Sequence, residues 1–182
     1  VFELFRAQPR SFENISITLT GVFYVVLPFF LINIIGLQPG CGPTSYNPWS
    51  ILSIFILIWC NDTFAYLTGR LIGKHKLFER ISPKKTWEGF IGGVFFAMIA
   101  GILLAYFLEE SYVKYITYAL VAGIIGTLGD LVQSMLKRSV DVKDSGTILP
   151  GHGGILDRFD AVLFVVPVIF FLEKFIFVKS FF

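Results

Sequence analysis

Five stretches of the chain, 16–37, 51–69, 88–108, 113–133 and 161–178, are apolar over lengths that reach or approach the roughly 20 residues a helix needs to cross a bilayer. Such spans constrain the fold strongly, because a backbone in hydrocarbon must satisfy its own hydrogen bonds, and only helices and closed barrels do so. No extended alternation of apolar and polar residues runs through the chain, so the spans read as helices. The mean hydropathy of +0.74 and a charged fraction of 15% exclude a water-soluble globular domain. The expected fold class is all-α: a polytopic transmembrane helix bundle of about five spans. The fifth window is the weakest, with twelve uninterrupted apolar residues before Glu173 and Lys174.

Orientation follows from the positions of Lys and Arg in short loops. Arg6 and Arg10 precede the first window, and Arg70, Lys74, Lys76, Arg80, Lys84 and Lys85 follow the second. Lys137, Arg138, Lys143 and Arg158 follow the fourth, so twelve of the fifteen basic residues occupy alternate loops. The connections 38–50 and 109–112 contain none. The N-terminus and both basic loops are therefore expected in the cytosol, together with a polar cavity on that side. No secretory signal is visible and the apolar stretches read as permanent. Residues 1–182 are expected to form a single transmembrane domain, the C-terminal part of a longer chain, with 134–160 as a cytosolic active-site loop. The cysteines, Cys41 and Cys60, lack metal-ligand spacing and read as structural.

Several charges fall where an apolar chain should not carry them. Asp62, preceded by Asn61, lies inside the second window, and an ionised side chain at membrane depth costs a few kcal/mol or more unless it faces a partner or a wet cavity. Tyr66 and Gly69, one and two turns on, would share that cavity wall. Hydrogen bonding between helices is the competing reading of Asn61 and Asp62. In the fourth window Gly123, Gly126 or Thr127, Asp130, Ser134 and Lys137 recur every three or four residues, on one helical stripe. That stripe begins with small residues, which allow close helix approach. It ends in carboxylate, hydroxyl and ammonium.

Beyond it come Arg138, Lys143 and Asp144, a glycine-rich stretch through Pro150, His152, Gly153 and Gly154, and then Asp157, Arg158 and Asp160. Asp157 and Asp160 could simply complement a helix dipole in its first turn. That leaves the surrounding cations and glycines without a reason. Asp130, Asp144, Asp157 and Asp160 offer the oxygen ligands Mg²⁺ prefers, and Mg²⁺ commonly uses one or two carboxylates together with substrate phosphates. Lys137, Arg138, Lys143 and Arg158 suit phosphate oxygens, and the glycines let backbone approach them. Upstream, Ser82 and Pro83 read as the cap and first residue of a helix. Lys84 and Lys85 in its first turn would then oppose the dipole unless an anion sat there, with anchoring to anionic lipid as the alternative. Trp87 reads as an interfacial anchor and His75 as a solvated loop residue. His152 reads either as a proton-transfer or phosphate-contacting group or as loop packing. With no Ser-His-Asp set and no activated Cys, the residues imply phosphoryl or nucleotidyl transfer assisted by metal.

The same residues resemble the CDP-diacylglycerol synthases, or phosphatidate cytidylyltransferases. The C-terminal signature of that family is met at Ser134, Lys137, Arg138, Lys143, Asp144, Pro150, His152, Gly153, Gly154, Asp157, Arg158 and Asp160, twelve positions within 27 residues. NDTFAYLTGR (61–70), Gly73-Lys74 and SPKKTWEG (82–89) also look like the family, so the likeness covers about 55–175. The resemblance implies transfer of the cytidylyl group of CTP to phosphatidic acid, giving CDP-diacylglycerol and pyrophosphate in phospholipid biosynthesis. It implies Mg²⁺, more than one ion, on Asp130 and Asp157 with Asp144 and Asp160 nearby. Catalytic roles would fall to Asp130, Lys137, Asp157 and Asp160. Substrate binding would fall to Asn61, Asp62, Lys84, Lys85, Ser134, Arg138, Lys143, His152 and Arg158.

The expected partners are CTP, phosphatidic acid and the lipid bilayer, with no nucleic acid, and a homodimer is compatible with them. The expected location is a bacterial inner membrane, with the endoplasmic reticulum membrane as alternative. Family members carry more membrane helices before this region. A CDP-alcohol phosphotransferase would need an Asp-Gly-x-x-Ala-Arg motif, which is absent. A CTP-using lipid kinase would lack the His-Gly-Gly turn before Asp-Arg-x-Asp. A transporter or lipid-binding scaffold would show no turnover.

Overall fold

The computed structural model describes residues 11–37, 46–142, 145, 146, 154 and 156–177. Among the described residues five α-helices follow one another: α1 Ser11–Gly36, α2 Pro48–Ile72, α3 Trp87–Phe107, α4 Tyr112–Ser139 and α5 Asp160–Leu172. The first four are long and apolar enough to cross a membrane. α5 is shorter and continues as a π turn, Glu173–Phe177. The charge of Glu173 there is met by Lys114 of α4 at 3.1 Å, both side chains being mostly buried. This is the expected membrane helix bundle, with the fifth window the short one.

In lipid, helices gain little from hydrophobic burial against each other, so close packing of small residues carries association. α3 shows this along its length. Gly89, Gly93, Ala97, Gly101 and Ala105, one every fourth residue, are its buried positions. A Cβ on Gly93 would meet Ala65 Cβ and Asn61 O at 2.8 Å, and one on Gly101 would meet Tyr115 O at 2.8 Å. α3 is thus wedged between α2 and α4. α5 packs against α4 on the other side and α1 leans on α5 and α2. Ile54, Leu57, Ala119, Ala122, Val165 and Val166 form the centre of the core. Most of α1 is exposed, Phe12, Phe23 and Phe30 included, as a lipid-facing helix requires.

The structure overturns one local expectation. Ser82 and Pro83 do not start a helix: Ser82–Thr86 is a β-strand, β2, antiparallel to β1 at Lys76–Phe78, with Lys76 opposite Thr86 and Phe78 opposite Ser82. Pro is compatible with a two-stranded ribbon, where one strand edge donates to nothing. The helix starts four residues later, where Thr86 caps α3 by accepting from Gly89 N at 3.2 Å. Glu88 ties the hairpin base to that helix, accepting from His75 N at 3.2 Å and lying 2.6 Å from His75 Nδ1. Lys84 and Lys85 therefore sit on a strand rather than in a helix's first turn, and the opposing dipole no longer bears on them. α4 also runs further than the apolar window, to Ser139. Its 28 residues extend about 42 Å, beyond the roughly 30 Å hydrocarbon core.

Candidate active site

The hairpin, the C-terminal half of α2 and the facing ends of α4 and α5 enclose a cavity of about 710 Å³ at one end of the bundle. α2 contributes Asp62, Ala65, Tyr66, Gly69 and Arg70, on turns that repeat every three to four residues. The hairpin contributes Lys76, Leu77, Ser82, Lys84, Lys85 and Thr86, and α3 adds Gly89 and Phe90. The opposite wall is Thr127 and Asp130 of α4 with Asp157 and Asp160. Four cations, Arg70, Lys76, Lys84 and Lys85, thus line the same space as four carboxylates, Asp62, Asp130, Asp157 and Asp160.

The two sets are partly joined. Lys85 Nζ reaches across to Asp130 Oδ2 at 2.5 Å, while Ser134 Oγ donates weakly to Asp130 Oδ1 at 3.4 Å from the next turn of α4. The Asp160 carboxylate lies close enough to Asp130 and Asp62 to feel both charges. One Asp160 oxygen accepts from the adjacent Ala161 N at 2.7 Å. Like charges this close repel unless a proton or cation compensates them. Asp157 is differently placed. Its Oδ1 accepts from Lys137 Nζ at 2.7 Å, and its Oδ2 accepts from the backbone N–H groups of Ser145 at 2.9 Å and Gly154 at 3.0 Å. Burial alone would raise the Asp157 carboxyl, but the Lys137 hydrogen bond and the two amides outweigh it and hold it below the usual carboxylate range.

Of the residues singled out in the sequence, Asp62, Lys84, Lys85, Asp130, Asp157 and Asp160 share the cavity. Ser134 and Lys137 stand behind it, each touching one of its aspartates. Asn61 does not line it. It is 2% exposed, packed at the crossing of α2 with Gly93 and Gly123, and its Nδ2 donates to Asp62 Oδ1 at 3.3 Å. Asn61 thus packs between helices without lining the cavity, and its bond to Asp62 stays within α2 rather than joining two helices. Asp62, by contrast, is exposed to the cavity. Arg138 and Arg158 are exposed and outside the cavity wall. Lys143, Asp144 and His152 lie outside the described residues. Among the described residues no group of three or more His, Cys, Asp or Glu side chains converges as a self-sufficient metal site.

Arg70, Lys76 and Tyr66 also line the cavity. Arg70 and Lys76 were legible only as topology-setting charges. The signal for Arg70 lay in its spacing, eight residues beyond Asp62 and four beyond Tyr66 on one helical face.

Residues 1–176 match the sequence model of a family described as the cytidylyltransferase family. The phosphatidate cytidylyltransferase of Staphylococcus aureus (strain COL) is 51% identical over 121 residues, 65% of this chain and 46% of that protein. The protein of the same name from Staphylococcus haemolyticus (strain JCSC1435) is 50% identical over 121 residues. That from Bacillus subtilis (strain 168) is 43% identical over 165 residues, 89% of this chain and 59% of that one. The chain spans about half the length of these curated relatives.

Proposed function

The chain belongs to the cytidylyltransferase family, and from that premise we propose that it transfers the cytidylyl group of CTP to phosphatidic acid, giving CDP-diacylglycerol and pyrophosphate for phospholipid biosynthesis. The observation that carries this reading is the cavity in which Arg70, Lys76, Lys84 and Lys85 line the same space as Asp62, Asp130 and Asp160 at one end of a membrane bundle. A lipid phosphate and a nucleotide triphosphate both require cations, and a site at the bundle end lets one substrate arrive from the bilayer and the other from water. Relatives at 43–51% identity bear the name of this activity.

A non-bridging oxygen of the phosphatidate phosphate attacks the α-phosphorus of CTP. The bond from that phosphorus to the β-phosphate oxygen breaks, and pyrophosphate leaves with the electron pair. A phosphate monoester is largely ionised near neutral pH, so no strong general base is needed. The Arg and Lys side chains orient the phosphates and stabilise charge as it shifts to the leaving group.

Divalent magnesium fits the donor set. Asp130 and Asp160 are carboxylates in close proximity whose repulsion a cation would relieve, and Mg²⁺ takes one or two carboxylates with phosphate oxygens supplying the rest. When bound it neutralises phosphate charge and orients the leaving group. Ser134 and Lys85 would fix the Asp130 rotamer, and Lys137 would fix Asp157. The basic residues flanking the cavity support a site on the cytosolic face of a bacterial inner membrane, where CTP is available.

The full natural chain in liposomes, given labelled CTP and Mg²⁺, should form a lipid-soluble cytidine product with phosphatidic acid as acceptor and none with diacylglycerol. Asp130→Asn should lower that rate by roughly 100-fold or more while the protein remains folded. Phosphorylation of diacylglycerol instead, or an undiminished rate in Asp130→Asn, would overturn the proposal.

A further inference from the structure

Lys85 and Asp130 cannot hold each other and serve phosphate and metal at the same moment. Of the four cations that line the cavity, Lys85 alone is paired with one of its carboxylates among the described residues: its Nζ lies 2.5 Å from Asp130 Oδ2. Both side chains are mostly buried there. Ser134 Oγ reaches the other oxygen, Oδ1, at 3.4 Å, so each Asp130 oxygen already has a donor. Asp62 lines the same space and feels the charges of both partners.

The backbone that carries Lys85 is fixed. Thr86, the next residue, is 6% exposed and caps α3 through Gly89 N. A Cβ on Gly69 of α2 would meet Thr86 Oγ1 at 2.9 Å, so the end of β2 lies directly against that helix. The ammonium is not fixed in the same way. It ends a flexible four-carbon stem and acts as a point charge, so it can leave Asp130 for another oxygen while the strand stays in place. Fastening the strand would only repeat what the Thr86 contacts do. Asp62, Asp130 and Asp160 meanwhile set three carboxylates in the same cavity as that one ammonium. A divalent cation answers such a charge more fully, and a nucleotide brings phosphate oxygens that suit the released lysine.

We propose that Lys85 is an exchange residue: it holds the Asp130 carboxylate ready, yields Oδ2 to the divalent cation, and turns to a phosphate of the incoming nucleotide. The proposal rests on the metal-dependent reading of the site. Metal and nucleotide then favour each other's binding through one side chain, and linkage makes the two effects equal. Lys84, the neighbouring strand residue in the same cavity, has no such carboxylate to release and is not part of the exchange.

The test uses the full natural chain in phosphatidylcholine liposomes, with Lys85→Gln, Lys85→Arg, Lys84→Gln and Asp130→Asn. Mn²⁺ binding to the nucleotide-free protein is followed by electron paramagnetic resonance, and binding of labelled CTP is measured with and without Mg²⁺. Lys85→Gln should bind Mn²⁺ about 10-fold more tightly than the wild type, because the competing ammonium is gone. Lys85→Arg keeps a cation on Asp130 and should show no such gain. Lys84→Gln removes the same charge from the same cavity and should gain roughly 3-fold at most. Mg²⁺ should strengthen CTP binding more in the wild type than in Lys85→Gln, by a factor close to the gain in Mn²⁺ affinity. Asp130→Asn should lose Mn²⁺ binding. Should Lys85→Gln fail to fold, Lys85→Met takes its place in both measurements. Mn²⁺ bound no more tightly by Lys85→Gln, or an equal gain in Lys84→Gln, with binding lost in Asp130→Asn, would overturn the exchange and leave the metal-dependent reading standing. Wild-type Mn²⁺ binding in Asp130→Asn would overturn both.

Discussion

Asp157 joins three segments that the sequence separates widely. Lys137 is twenty residues upstream on α4, Ser145 twelve upstream, and Gly154 three upstream, and all three donate to its carboxylate. Its charge therefore fastens Lys137, Ser145 and Gly154 together beside the cavity. Because the folded-state pKa is depressed, the carboxylate contributes stability above its unfolded value of about 3.9 and loses it as pH falls toward the folded value. The melting temperature gap between the wild type and Asp157→Asn should stay constant from about pH 7 to about pH 5 and close below about pH 4. A gap that shrinks already near neutral pH would show that another group titrates. The residue types at the site were legible because carboxylates and cations are rare in an apolar chain and conspicuous at membrane depth. Their pairings were not. Sequence spacing reports neighbours on one helix, such as Asp130 with Ser134, but not Lys85 against Asp130 across 45 positions.

At the scale of elements, apolar windows located the five α-helices among the described residues, since 20-residue runs have few alternatives in a bilayer. The hairpin between α2 and α3 escaped because Ser-Pro is also a helix-start signal, and strand pairing with Lys76–Phe78 decided against it. The four-residue recurrence of Gly89, Gly93, Ala97, Gly101 and Ala105 was present in the sequence, yet only the packed bundle shows that this stripe faces two helices at once. Helix glycines consequently differ in what they tolerate. A Cβ at Gly93 would press on Ala65 Cβ and on the Asn61 backbone and side-chain oxygens at 2.8 Å, whereas one at Gly21 meets nothing within 4 Å. Gly93→Ala should destabilise the protein by roughly 1–3 kcal/mol in thermal unfolding. Gly21→Ala should be neutral or stabilising by up to about 1 kcal/mol. Equal effects of the two would contradict the packing described for α3.

The whole molecule is polarised along its helices. One end gathers the cavity, the hairpin and the aspartates. The other carries a mostly buried cluster in which Lys114 meets Glu173 at 3.1 Å and Glu110 at 3.7 Å, fastening the start of α4 to the end of α5. Since α4 and α5 also present Asp130 and Asp160, the far-end clamp constrains the register of the two helices that bring these carboxylates together. Removing one partner of such a pair leaves a buried charge, which costs about 3 kcal/mol or more, while removing both does not. Lys114→Met should lower the unfolding temperature sharply, and Lys114→Met with Glu173→Gln should recover most of the loss. Equal destabilisation in the single and double variants would show that the pair is not what holds the helices. The charge asymmetry of the loops made the two ends distinguishable in the sequence. The clamp was not, because Glu173 and Lys174 read there only as the end of a short span. The central claim is that the polar end transfers a nucleotidyl group to a lipid phosphate. It is tested most directly by incubating the full natural chain in phosphatidic acid liposomes with CTP labelled at either the α- or the γ-phosphorus, and extracting the lipid. Label should enter the lipid from the α-position alone, and label entering from the γ-position, or from neither, would contradict it.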